Sequence, residues 1–278
     1  MTQREQEIFK VLKREPAISQ QELAERLGIT RSSVAVHITN LLKKGYLLGK
    51  GYIVRSEPYA VVIGGSNVDI TGFPRDKLVL HDSNIGEVRI SLGGVGRNIA
   101  ENLARLGQPT RLLSVVGDDL YGRRILEEAA AIGLDMRDSI ILRDRPTSTY
   151  LCIMDETRDM AVAINHMDSI EAMTVDYLQA RRGIIENAQL CVLDTNLPEP
   201  VLDYLLSTFP TRPDFFLDPV STSKAAKVKG RIGRFHTIKP NRIEAEILSG
   251  IPIGCDADLE RCAEILHAQG VQRIMGGD

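Results

Sequence analysis

The run Tyr59-Ala60-Val61-Val62-Ile63, apolar throughout and closed by Gly64-Gly65, constrains this chain more than any other segment. A short, continuous β-branched run bounded by glycines reads as a strand buried on both faces, the kind found in parallel sheets covered by helices. The loop after such a strand is where α/β folds place ligands, and here it would be Gly64-Gly65-Ser66-Asn67-Val68-Asp69. A second glycine group, Gly93-Gly94-Val95-Gly96-Arg97-Asn98, opens a segment in which Ile99, Leu103 and Leu106 share a helical face before Gly107 ends it.

Glycines at a helix start raise two phosphate-binding readings, and both fail. A G-x-G-x-x-G pattern from Gly94 would need glycine or alanine at Ile99, and no G-x-x-x-x-G-K-[ST] occurs in the chain. The alternative is that Gly93 and Gly94 let a small polar ligand approach the backbone. Asn98 would then offer a donor and an acceptor to hydroxyls, and Asp69 would accept from a pair of them. Each residue type is also common in turns and caps.

Charge divides the chain. Residues 1–55 hold ten Lys/Arg against five Glu, whereas the remainder is acidic, within a net charge of −3. A basic head on an acidic body points to nucleic acid as a partner of the head alone. Within the head, Ile8, Val11 and Leu12 mark a helix that Pro16 ends. Ser19 and Glu22 form a capping-box pattern ahead of Leu23, Ala24 and Leu27, and Gly28 closes that second helix. Thr30 caps a third, with Val34, Ile38, Leu41 and Leu42 as its inner stripe. Tyr46 to Val54 reads as a hairpin about Gly49-Lys50-Gly51.

This layout resembles the winged helix-turn-helix of bacterial regulators, which implies double-stranded DNA as partner of residues 1–55, with Arg31, Ser32, Ser33, His37 and Lys50 as contact candidates. His37 could equally cap or pack, and the module could instead dock on the rest of the chain or on a partner. Such domains usually bind as pairs on two half-sites, which makes a homodimer an expectation. The apolar runs are too short to span a bilayer, and no signal peptide opens the chain. Cys152, Cys191, Cys255 and Cys262 stand singly, so a cytoplasmic protein without structural zinc is expected.

From Tyr59 onward the segments Gly64–Asp69, Gly93–Ala100, Leu112–Asp119 and Lys239–Glu246 together resemble the ribokinase-like (PfkB) carbohydrate kinases. The resemblance implies an α/β/α sandwich with a small β lid over residues 59–278. It implies that Asn67, Asp69, Gly93, Gly94 and Asn98 bind a sugar, and that Lys239, Asn241 and Glu244, the last two from an N-x-x-E motif, organise ATP and Mg2+. Magnesium would be held through water, with no direct protein metal site. Similarity is greatest to the bacterial pseudouridine kinases and their helix-turn-helix-fused relatives, in Asp82-Ser83-Asn84, Thr147–Tyr150, Ala163-Ile164-Asn165 and Asp218–Ser221. That implies a nucleoside or other ribosyl substrate phosphorylated at a primary hydroxyl. Gly86–Ser91 and Ser148–Asn165 would build the lid, with Thr149 and Asn165 against the base and Asp194 and Asn196 in the pocket.

The family's catalytic base belongs to a Gly-Ala-Gly-Asp segment that the 278 residues do not contain. Gly276-Gly277-Asp278 reads as an ordinary turn after a strand, so the kinase domain is expected to be C-terminally incomplete, with an exposed apolar surface or a compensating contact where the rest would pack. General-base assistance supplies about 10²–10⁴ in rate, so little turnover is expected without it. The rival expectation is a transcriptional regulator whose kinase-like domain senses a nucleoside or sugar.

Overall fold

The computed structural model describes residues 1–16, 18–47, 58–209 and 213–276, and the chain divides into two compact units at Pro58/Tyr59. Among the described residues no helix is long and apolar enough to cross a membrane.

The first unit packs α1 (Gln3–Arg14), α2 (Gln20–Leu27) and α3 (Arg31–Lys43) around Ile8, Leu12, Leu23, Val34, Ile38 and Leu41. Each helix begins where a hydroxyl accepts an orphan N–H: Thr2 from Glu5, Ser19 from Glu22 and Thr30 from Ser33. Gly28 ends α2 at φ 62°, a left-handed cap that glycine adopts without steric cost. Lys44 donates to the buried Glu5 carboxylate at 2.8 Å, tying the end of α3 to the start of α1. This ammonium, helped by the Thr2 N–H, holds the Glu5 carboxyl below its ordinary value. The expected hairpin past Leu47, Lys50 included, lies outside the described residues.

The second unit opens with β1 (Ala60–Ile63), β2 (Asn67–Pro74), β3 (Gly86–Gly93), α4 (Val95–Arg105), β4 (Thr110–Leu113), β5 (Val115–Gly117) and α5 (Leu120–Ala131). It continues through β6 (Ile140–Leu142), β7 (Thr149–Met154), β8 (Met160–His166), α6 (Val175–Gln179), α7 (Arg182–Glu186), β9 (Leu190–Asp194) and α8 (Glu199–Thr208). It ends with β10 (Asp214–Asp218), α9 (Thr222–Ala225), β11 (Thr237–Ile238), α10 (Arg242–Ser249), α11 (Asp256–Ala268) and β12 (Arg273–Ile274).

Six strands form a parallel sheet in the order β12-β11-β10-β9-β1-β4. All of β1 is buried: Tyr59, Val61 and Ile63 face one apolar cluster and Val62 faces the other, as the continuous apolar run requires. A side chain of this kind contributes roughly 1.5–3 kcal/mol when buried. Because β4 lies on one side of β1 and β9 on the other, the chain reverses its winding at β1, leaving a crevice at the strands' carboxyl ends.

A second sheet, β3-β2-β7-β8, is the expected lid, with two corrections. Asn67 to Asp69 belong to strand β2 instead of a loop, since Asn67 pairs with Gly93 and Asp69 with both Ser91 and Tyr150. Ser148–Asn165 is a hairpin, turned where Asp155 Oδ1 accepts from the N–H groups of Thr157 and Asp159. One face carries Asp69, Ser91, Tyr150 and Asn165 in a row across four strands; the other carries Ile70, Ile90, Leu151 and Ile164.

Candidate active site

The site begins with two glycine segments pressed together. A Cβ on Gly94, whose φ is +98°, would lie 2.4 Å from the Gly65 carbonyl oxygen, and one on Gly96 would lie 2.8 Å from Gly64 Cα. Only glycines let the start of α4 rest on the end of β1. Beneath this junction the fully buried Asp194, at the end of β9, stitches three segments. Its Oδ2 accepts the N–H of Gly65 and of Gly96, each at 2.8 Å, and its Oδ1 accepts the N–H of Asn196 at 2.9 Å. Burial pushes the Asp194 carboxyl above the ordinary aspartate range, opposed by those donors.

Above the junction lies a cavity of about 560 Å³, bounded by Gly65, Asn67, Asp69, Gly94 and Asn98 on one side, by Ser148, Tyr150 and Asn165 of the lid, and by Asn196, Ser221 and Lys224 beyond β9 and β10. Asn67 Nδ2 donates to Asp69 Oδ1 at 2.7 Å, fixing the carboxylate and leaving Oδ2 to a ligand. That Oδ2 occupies the space a Cβ of Gly93 would need, 2.2 Å away. Arg97 Nη1 donates to Asn98 Oδ1 at 3.1 Å, which leaves the Asn98 amide N–H groups as the donors to a ligand. The buried Arg97 is itself held by Glu101 at 2.6 Å. The arrangement presents a carboxylate acceptor beside an amide donor, under a strand-borne aromatic ring, which suits adjacent hydroxyls of a ring-bearing ligand.

The expected site residues divide accordingly. Asn67, Asp69, Gly94, Asn98, Asn165 and Asn196 line the cavity. Gly93 and Asp194 lie just behind it and shape it. Thr149 is a correction: it lies on the opposite face of β7, while its neighbours Ser148 and Tyr150 line the cavity, because side chains alternate along a strand. Tyr150 pairs directly with Asn165 across the β7–β8 hairpin, a register that the strand period alone does not set. Lys224 had no signal in the sequence.

Lys239, Asn241 and Glu244 line none of this cavity; they stand at the carboxyl end of β11, two strands from β9. Asn241 Oδ1 accepts from the Glu244 N–H and Glu244 Oε2 from the Asn241 N–H, both at 2.9 Å, a capping box that starts α10. Among the described residues no cluster of three His, Cys, Asp or Glu could hold a metal directly. One carboxylate with an oxygen beyond the capping bond fits a hydrated magnesium carried on phosphates. Gly276 follows β12, an edge strand whose next residue, Met275, is exposed; Gly277 and Asp278 lie outside the described residues.

In the first unit, Arg31 and Ser32 are exposed at the start of α3, and Ser33 is half-buried. His37 is half-buried, with Nδ1 lacking a partner among the described residues. Val36, 59% exposed, and the exposed Thr39 share one face of α3.

The profile of the pfkB family carbohydrate kinases matches residues 57–275. The chain belongs to that family. Residues 1–47 match a winged helix-turn-helix DNA-binding profile, so this PfkB-family chain carries a helix-turn-helix unit ahead of its kinase fold. It is 41% identical over 274 residues to the uncharacterised sugar kinase YeiI of Escherichia coli K12, covering 99% of this chain and 75% of that one. It is 41% identical over 228 residues to the pseudouridine kinase of the same organism, covering 81% of this chain and 72% of the relative. A carbohydrate kinase from Agrobacterium tumefaciens superposes with a TM-score of 0.70 at 26% identity, over 80% of this chain and 71% of that one. The ribokinase-like α/β fold follows from both kinds of match.

Proposed function

We propose that this chain binds a nucleoside or related ribosyl compound in the cavity under the lid and belongs to a kinase that phosphorylates its primary hydroxyl from ATP, with Mg2+ on the phosphates. The pair Asp69 and Asn98 carries this reading: one free carboxylate oxygen and one free amide edge line the same cavity, above the junction of the two glycine segments. The relatives' names narrow the substrate to sugars and nucleosides, and the lid row Tyr150–Asn165 offers a ring face and an amide to a base. ATP and magnesium are assigned to the Lys239–Glu244 end of the sheet, where Glu244 would meet hydrated magnesium; when bound, the ion supplies charge neutralisation to the phosphates.

Asp69 orients the sugar through its hydroxyls, the lid excludes water, and the Gly65/Gly96 backbone is held rigid by Asp194. Residues 1–55 are assigned to double-stranded DNA, with Arg31 and Ser32 leading α3 into the major groove. Two chains are proposed to act together, paired through the outer lid face, where Ile90 and Ile164 are 43% and 62% exposed. Ile164→Asp should then shift sedimentation toward the monomer; an unchanged dimer, or a monomeric parent chain, refutes that pairing. A cytoplasmic setting fits DNA and ATP together.

The test is ADP release from ATP and magnesium with pseudouridine, uridine, ribose and fructose, for these 278 residues and for a chain extended by the Gly-Ala-Gly-Asp region of a relative. Turnover by either, lost in Asp69→Asn, supports the kinase. Nucleoside binding with no turnover from either supports the sensing regulator. No binding by any of the panel refutes the reading.

A further inference from the structure

Among the described residues, two charged side chains line the cavity, Asp69 and Lys224. Sugar hydroxyls account for Asp69, whereas nothing above gives Lys224 a partner in the reaction. Asp194 has no need of it, since three backbone N–H groups already fill that carboxylate. The Lys224 ammonium donates to Asn196 Oδ1 at 2.5 Å, which leaves two of its three donors for the cavity.

The turn that delivers Lys224 is strained. Val220 lines the same cavity and has φ +62°, a left-handed conformation that a β-branched residue rarely adopts. It is held there by its N–H on Asp218 Oδ1 at 2.9 Å and by the Ser221 N–H on the Pro219 carbonyl at 2.7 Å. Strain of this kind persists where the surroundings over-determine it, and it gathers at ligand sites.

Along the sheet, Lys224 follows β10, between Asn196 after β9 and the Lys239–Glu244 segment after β11. It therefore stands between the hydroxyl-binding end of the cavity and the strand ends assigned to the nucleotide. We propose that Lys224 is the anion-binding group of this cavity, holding the phosphate monoester that forms on the substrate's primary hydroxyl. The inference rests on the kinase reading and deepens it. A charged ammonium is a compact point charge with donors only, suited to phosphate oxygens and unable to accept a proton. Burial draws Lys224 below the ordinary lysine value, opposed by the nearby Asp194 carboxylate and reinforced by the Lys227 ammonium, so its hold on the ester weakens with rising pH sooner than an exposed lysine's would.

The test is isothermal titration of the full chain and of Lys224→Met with ribose, uridine and pseudouridine, and with the 5-phosphate ester of each. The variant should bind the ester at least about tenfold more weakly, the loss of one charge-assisted hydrogen bond, while the parent alcohol shifts by less than about twofold. Lys224→Arg should recover part of the ester affinity, and the alkaline decline of the wild-type ester affinity should vanish in Lys224→Met. Should the Met variant melt early, Lys224→Gln keeps a donor to Asn196, loses the charge and carries the same comparison. Ester and alcohol weakening together, or neither changing, overturns the inference and leaves the kinase reading standing. Wild-type chain that binds neither form overturns both.

Discussion

Replacing Asp194 by Asn tests the junction on which the site rests, because the substitution keeps shape and removes one acceptor. The wild-type carboxylate serves three backbone donors: the N–H groups of Gly65 and Gly96 on Oδ2 and of Asn196 on Oδ1. An amide has a single oxygen. Its better orientation keeps that oxygen on Gly65 and Gly96 and turns the NH2 toward the Asn196 N–H, donor against donor. Leaving one buried donor unsatisfied costs about 1–3 kcal/mol. Part of that is offset, since burial already disfavours the ionised Asp194, and the neutral amide escapes that cost. A net loss of about 1–2 kcal/mol remains, or roughly 2–8 °C in the melting of a unit this size. Asp194→Ala orphans all three donors and should cost more than Asn. Calorimetry that resolves the two units gives the stability, and amide exchange gives the site: the Asn196 N–H should lose protection in Asp194→Asn while Gly65 and Gly96 keep theirs. An unchanged transition with the Asn196 amide still protected, or an Ala variant as stable as the Asn variant, would show that Asp194 does not hold the junction.

Gly96→Ala should destabilise by about 1–3 kcal/mol, because its Cβ meets Gly64 Cα at 2.8 Å and Asp194 Oδ2 at 3.0 Å. Gly183→Ala, in α7 with nothing within 4 Å, should be neutral or stabilising; denaturant midpoints of the pair separate close packing from a general glycine effect. Burial raises the Asp119 carboxyl, but the N–H groups of Gly122 and Thr147 and the Thr147 hydroxyl outweigh it and hold the folded value below the ordinary one. Its contribution is therefore present above the unfolded value of about 4 and is lost as pH falls through the folded one, so the melting gap between wild type and Asp119→Ala should close below about pH 4. A gap constant from pH 6 to pH 2.5 would contradict this. Val220→Gly should leave stability within about 1 kcal/mol of wild type, since the relief of left-handed strain offsets the added chain entropy; a loss of several kcal/mol would show that the Val220 side chain is needed for packing.

The parts of this molecule that could be read from its sequence are those whose cause is local. The apolar run at Tyr59–Ile63 became a central strand because its two-sided burial is written in five consecutive residues. The starts of α1, α2 and α3 are fixed by hydroxyls within three residues of the N–H groups they accept. Asp69 was readable as a candidate site residue, and it lines the cavity, but it was not readable as a strand residue, because what makes it one is pairing with Ser91 and Tyr150, distant in the chain. The Thr149 error has the same origin: the face of β7 is set by its register against β2 and β8, and a slip of one residue exchanges inside for outside. Lys224 is the extreme case. Lysines are ordinarily solvated, and what distinguishes this one is Asn196, contributed by a different strand end, together with the left-handed Val220 that aims the turn. A strained turn and a point charge facing a carboxylate across one cavity are features of assembly, and they are where a function beyond the family's shared sugar contacts has room to reside.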